Sequence, residues 1–139
     1  MKRLFTIVGV TKEGDGYTPY ISVIENVNKT DEVVTVCNTV VSKGIVNGHI
    51  LEGNKLWGTI SEDSQISKIA NTQETKKTEG GTFRVLGVCL GVDNYAIDLG
   101  CNSLDDVQEL LYTEGVSHGF VLEGNNIIGL ISDDGFFKN

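Results

Sequence analysis

A chain of 139 residues with 40% hydrophobic and 22% charged side chains has the composition of one ordinary globular domain. Its formal net charge of −8, without a cluster of Lys and Arg to neutralise phosphates, argues against nucleic acid as a direct partner, and no apolar run is long enough to cross a bilayer. Three cysteines at no metal-like spacing, Cys37, Cys89 and Cys101, predict reduced thiols of a cytoplasmic protein instead of a disulfide framework.

Lys2 and Arg3 precede an apolar run that resembles the front of a secretory signal, but the run ends before Lys12 and no small-residue cleavage site follows. Its residues 4–10, LFTIVGV, have a counterpart in residues 82–88, TFRVLGV. A segment used twice reads as a strand. Residues 5–10 and 20–26 are therefore predicted to form a β-hairpin, with TKEGDGYTPY (11–20) between them as a loop that carries the only proline. The sequon Asn28-Lys29-Thr30 is read as a helix cap, because Val33, Val36, Cys37, Val40 and Val41 fit a helical stripe that Gly44 can end. The β-branched residues of 30–43 would on their own suit a strand equally well. Strands over 45–52 and 55–61 then flank Gly53-Asn54, a tight turn requiring positive φ.

Residues 64–81, SQISKIANTQETKKTEGG, are polar and read as a linker. Beyond it the elements recur: a hairpin over 83–90 and 95–100, then a helix over 103–114 with Ser103 as N-cap and Gly115 as stop. The last hairpin, over 116–123 and 126–132, turns at Gly124-Asn125. Gly58 and Gly129, in mid-strand, predict a bulge or the close approach of another element. Aligned without a gap, residues 44–63 and 115–134 are identical at ten of twenty positions, where average composition gives roughly one or two. This repeat also decides the ambiguous first helix, since its counterpart over 103–114 has clear caps.

The reading is an α+β fold built by internal duplication of a β-β-α-β-β unit, with mainly antiparallel sheets, two helices and a pseudo-twofold axis. Residues 1–63 form one copy, 64–81 the linker and 82–139 the other copy. Each copy is too small for a secure core of its own, and the last strand is apolar on both faces. The two copies are therefore expected to share one core as a single domain, with a homo-oligomer as the alternative way to cover the second face.

The chemistry of the sequence is sparse. It has no Walker-type loop, GxGxxG, HExxH, GxSxG or CxxC pair, and a Cys101–His118 nucleophile pair lacks any local signature. No cofactor is expected, and the sequence offers no residue set on which to place an enzymatic activity. Residues 82–139 hold two basic residues against nine acids. Asp93, Asp98, Asp105, Asp106, Glu109, Glu114 and Glu123 are accordingly read as an acidic surface, although Asp105 and Asp106 also suit a helix N-terminus. Glu62 and Asp63 close one hairpin as Asp133 and Asp134 close the other. If a twofold brings them together they could bind a hard cation, while the serine before each pair could simply cap a turn. Trp57, Tyr95 and Ile128 are the candidates for lining a seam between copies.

These features lead to a non-enzymatic acidic protein-binding module as the first functional expectation. It would be an inhibitor, immunity or phage anti-defence protein that occludes a basic surface of its partner. The second expectation is a binder of a nucleotide or metabolite in the seam between repeats. The third is a structural subunit of an assembly.

Overall fold

A computed structural model describes residues 3–132 and 135–138, the last two by their backbone alone. It contains two helices and mostly antiparallel sheets, an α+β architecture. The strands are β1 (Arg3–Glu13), β2 (Gly16–Val27), β3 (Ile45–Glu52), β4 (Lys55–Ile60), β5 (Ile66–Lys68), β6 (Lys76–Lys77), β7 (Phe83–Cys89), β8 (Tyr95–Cys101), β9 (His118–Glu123), β10 (Asn126–Ser132) and β11 (Gly135–Lys138). Helix α1 (Glu32–Lys43) lies between β2 and β3, and α2 (Leu104–Glu114) between β8 and β9. One sheet has the order β2-β1-β3-β4-β5 and the other β11-β10-β9-β7-β8-β6.

The side-chain alternation of the strands sorts the core into layers. Phe5, Ile7, Ile45, Ile50, Trp57 and Ile60 pack with Val36 and Val40 of α1. Val85, Ile97, Leu99, Val121 and Ile131 pack with Val107 of α2. The residues between these on the central strands point the other way: Val8 and Val10 meet Leu86, Phe120 and Leu122, and Leu56 meets Val88 and Ala96. The sheets thus face each other, with a helix on each outer side.

Both helices are fixed by their ends. The Ser103 hydroxyl accepts a hydrogen bond from Asp106 N–H at 3.1 Å, and Gly115 takes the left-handed conformation with φ 65°. Ser103→Ala should cost about 1 kcal/mol in a urea unfolding curve, and an unchanged midpoint would show that the cap is idle. In α1 the residue at the cap is Asp31, without a side-chain cap bond, in place of Thr30. Glu32 takes over the anchoring. It is buried, ion-paired with Arg3 and 3.3 Å from Lys68 Nζ, which ties the helix start to β1 and β5. The β-branched stripe is divided, with Val36 and Val40 inside and Val33, Val34 and Val41 exposed.

Three details differ from the sequence reading. The stretch 11–20 is no loop, because β1 and β2 continue their pairing to Glu13 and Gly16 and leave a tight turn at Gly14-Asp15. The matched spans 4–63 and 82–134 differ in length by seven residues, and most of that difference lies between Pro19 of β2 and the start of α1. Nine positions separate Val10 from its partner Pro19 and eight separate Val88 from Ala96, whereas thirteen separate Pro19 from Glu32 and eight separate Ala96 from Leu104. Finally, the segment 64–81 is not a slack linker. Its β5 pairs with β4 and its β6 runs parallel to β8, so it is bonded to both sheets. The same pairing explains Gly58: a Cβ there would stand 2.8 Å from the Ser67 carbonyl oxygen.

At the hairpin turns positive φ falls on Gly53 (60°) and Gly124 (62°) and not on the following asparagines. That is the type II′ pattern, in which glycine comes first.

Candidate functional site

Where the two sheets face each other, their packing is incomplete at one end and leaves a cleft of about 430 Å³. Thr6 and Val8 of β1, Ile21 of β2, and His49 and Leu51 of β3 line one wall; Arg84 and Leu86 of β7 and Ile97 and Asp98 of β8 line the other. The Gly53-Asn54 turn and Thr75 and Lys77 of the crossing segment complete it. Thr75 is held there twice by the Asn54 carbonyl, which accepts from its N–H at 2.6 Å and from its hydroxyl at 2.9 Å.

Strand geometry explains why polar groups appear here. Thr6 and Arg84 occupy corresponding places in LFTIVGV and TFRVLGV, one residue after the phenylalanine that faces the helix, so both face the opposing sheet. Arg84 is held in a bidentate grip by Asp98, with Nε to Oδ1 at 2.6 Å and Nη2 to Oδ2 at 2.7 Å. This hydrogen bonding raises the guanidinium further above its ordinary range. Lys77 makes no ion pair among the described residues, whose salt bridges engage Arg3, Lys68, Lys76 and Arg84.

His49 is the unusual member. It is 2% exposed and its Nδ1 finds no hydrogen-bond partner among the described residues. Burial, followed by the proximity of His118, lowers its pKa to about 3 against a small opposing pull from Asp98. The ring is therefore neutral at physiological pH. A buried polar atom without a partner costs on the order of 1–3 kcal/mol, so an apolar residue such as the Phe120 of the aligned position would be expected here unless something else satisfies the nitrogen.

The residues singled out from the sequence fall elsewhere. Trp57 packs under α1, edge-on to Phe5 with ring centroids 5.5 Å apart, and its buried Nε1 also lacks a partner among the described residues. Tyr95 and Ile128 pack on the α2 side. The Tyr95 hydroxyl donates to Glu114 Oε2 at 2.9 Å, and Lys76 Nζ lies 3.2 Å from the same oxygen and 4.5 Å over the Tyr95 ring. That bond lowers the Glu114 pKa, while burial and the carboxylate raise that of Tyr95. The triad pins β6 to the end of α2.

Of the seven carboxylates expected to form an acidic surface, Asp98 and Glu114 are thus engaged within the chain, and Asp93, Asp105, Asp106, Glu109 and Glu123 are exposed. Glu62 and Asp63 are exposed as well. Asp133 and Asp134 lie outside the described residues, among which no group of three or more candidate ligands could hold a metal. Ser61 acts as a turn cap, its hydroxyl accepting from Asp63 N–H at 3.2 Å and Gln65 N–H at 3.1 Å.

Cys101 pairs with Phe83 and His118 with Val88, five residues apart along β7, so the two are not brought together. Burial raises the thiols of Cys89 and Cys101, and Cys37, Cys89 and Cys101 are free. No helix of the described residues is long and apolar enough to cross a membrane. Sequence reasoning missed His49, Arg84 and Lys77 as site residues. The available signal was a mismatch between the aligned sequence segments, His49 against Phe120 and Arg84 against Thr6, on inward-facing positions. Comparison of the chain with known protein families, curated proteins and solved structures finds no match.

Proposed function

We propose that the chain is an internally duplicated β-β-α-β-β protein, its copies related by a pseudo-twofold and sharing one core, that binds a small molecule in the cleft between them. Two equivalent strand orders support the duplication, β2-β1-β3-β4-β5 and β8-β7-β9-β10-β11. So do the equivalent glycine contacts, Gly48 against Gly9 and Gly119 against Gly87. The observation that carries the binding role is a cleft of about 430 Å³ between the sheets, within the usual size of ligand sites, with the buried and unusually polar His49 among its lining residues. Free thiols suit a reducing, cytoplasmic setting.

The test is side-chain NMR of His49 during titration with small anionic, neutral and cationic aromatics. At least one class should shift the imidazole resonances and raise the melting temperature, and His49→Leu should abolish the stabilisation. A panel that leaves His49 unmoved overturns the reading. Trp57 lies on the far face of its sheet, so its emission should not follow binding.

A second reading, an inhibitor or immunity-type protein that covers a basic surface of a protein partner, is favoured by α2, which exposes Asp105, Asp106 and Glu109 and has no basic residue in its last turn. Capture of a partner from lysate should then weaken steeply with salt, and salt-insensitive capture would count against it.

A further inference from the structure

The cleft walls carry a charge opposite to that of the chain. Asp98 is matched by Arg84 through two short hydrogen bonds, which leaves the pair neutral, and Lys77 adds an ammonium with no salt bridge among the described residues. His49 is uncharged. The balance at the walls is one positive in a chain of −8. Glu79 belongs to a neighbouring hollow that shares Lys77, Arg84 and Asp98, and is not part of the cleft lining. The same lining includes Val8, Leu51 and Leu86, apolar side chains suited to a flat or greasy body.

We infer that the ligand is a small amphipathic anion, its carboxylate or phosphate at Lys77 and Arg84, its apolar body along Val8, Leu51 and Leu86, close enough to His49 to be sensed by its ring. This rests on the binding role proposed above and specifies its chemistry. Lys77 supplies charge selectivity. Arg84, already oriented by Asp98, retains N–H groups beyond the two that Asp98 occupies.

The experiment titrates the full chain, by calorimetry and by His49 side-chain NMR, with two probe sets. One is para-hydroxyphenylacetate with its neutral amide and with tyramine as the cation; the other is adenosine monophosphate with adenosine. Whichever anion binds more tightly identifies the source of the acidic group. In the better set the anion should bind at least tenfold more tightly than its uncharged counterpart. Lys77→Gln, at an exposed position, should remove about that factor for the anion and leave the neutral compound unchanged. Equal or tighter binding of the neutral or cationic member, with His49 still shifting, overturns the anion assignment and leaves the cleft reading standing. A His49 that no probe moves overturns both.

Discussion

Alanine at Gly48 or at Gly119 is expected to destabilise the protein by about 3 kcal/mol or more, a large part of the roughly 5–15 kcal/mol that holds a domain together. At each position a Cβ would stand 2.6 Å from the Cα of the facing glycine, Gly9 for Gly48 and Gly87 for Gly119. It would also stand closer still to the carbonyl oxygen of Val8 or Leu86. These obstacles are backbone atoms of a paired strand and cannot swing aside as a side chain would. In the first sheet the register of β1 on β3 shifts between Val8 and Val10 at this crossing, so the glycine pair is where the ladder bends. Gly91→Ala is the control: it has open space and no positive φ, and should be neutral. Urea unfolding of the three variants decides the matter. A Gly48→Ala protein as stable as the control would mean that the strands separate more easily than their close approach implies.

Acidification from pH 7 to pH 5 should destabilise the fold by about 2 kcal/mol through His49 alone. The folded ring, with its pKa lowered to about 3, stays neutral over this range, while the same ring in the unfolded chain takes up a proton below its ordinary pKa near 6.5. The unfolded state therefore binds more protons, and stability rises with pH. The contribution is complete above about pH 6.5 and is lost progressively as the pH falls towards 3. His49→Leu should flatten this part of the profile and also remove the orphaned Nδ1. Unfolding midpoints of both proteins between pH 7 and pH 5 provide the measurement. A wild-type profile without slope, or the same slope in the variant, would show that the imidazole is protonated or hydrated in the native state.

Most of the regular structure could be read from the residues because it is decided locally. Ser103 and Gly115 delimit α2 by hydrogen bonding and by φ, and the Gly-Asn pairs set two hairpin turns, each independent of distant contacts. The first helix needed its counterpart, since Val33 to Val41 fit a strand as well as a helix until α2 is laid beside them. Other features are decided by partners far away in the chain. Nothing in SQISKIANTQETKKTEGG announces that Ile66 will pair with Ile60, or Lys76 with Ile97; those strands exist because two sheet edges offered unpaired backbone groups. The site was obscured for a similar reason. Alternation reveals which residues share a face, but not which face meets a helix and which meets the other sheet. Size and alignment point to Trp57, Tyr95 and Ile128 for the seam, yet they lie on the helix side, whereas His49 and Arg84 hold the inward positions.

The crossing segment has a consequence for how the chain can be re-engineered. A slack tether can gain or lose residues at little entropic cost, but this one is fastened at both ends of its crossing, with Ile69 N–H on the Trp57 carbonyl at 3.0 Å and Thr78 N–H on the Asp98 carbonyl at 3.0 Å. Deleting a single residue between those fastenings must slip one ladder by a step and turn its side chains over. The exposed tip at Gly14-Asp15 carries no such constraint, so a peptide tag belongs there and not at the apparent boundary between the halves.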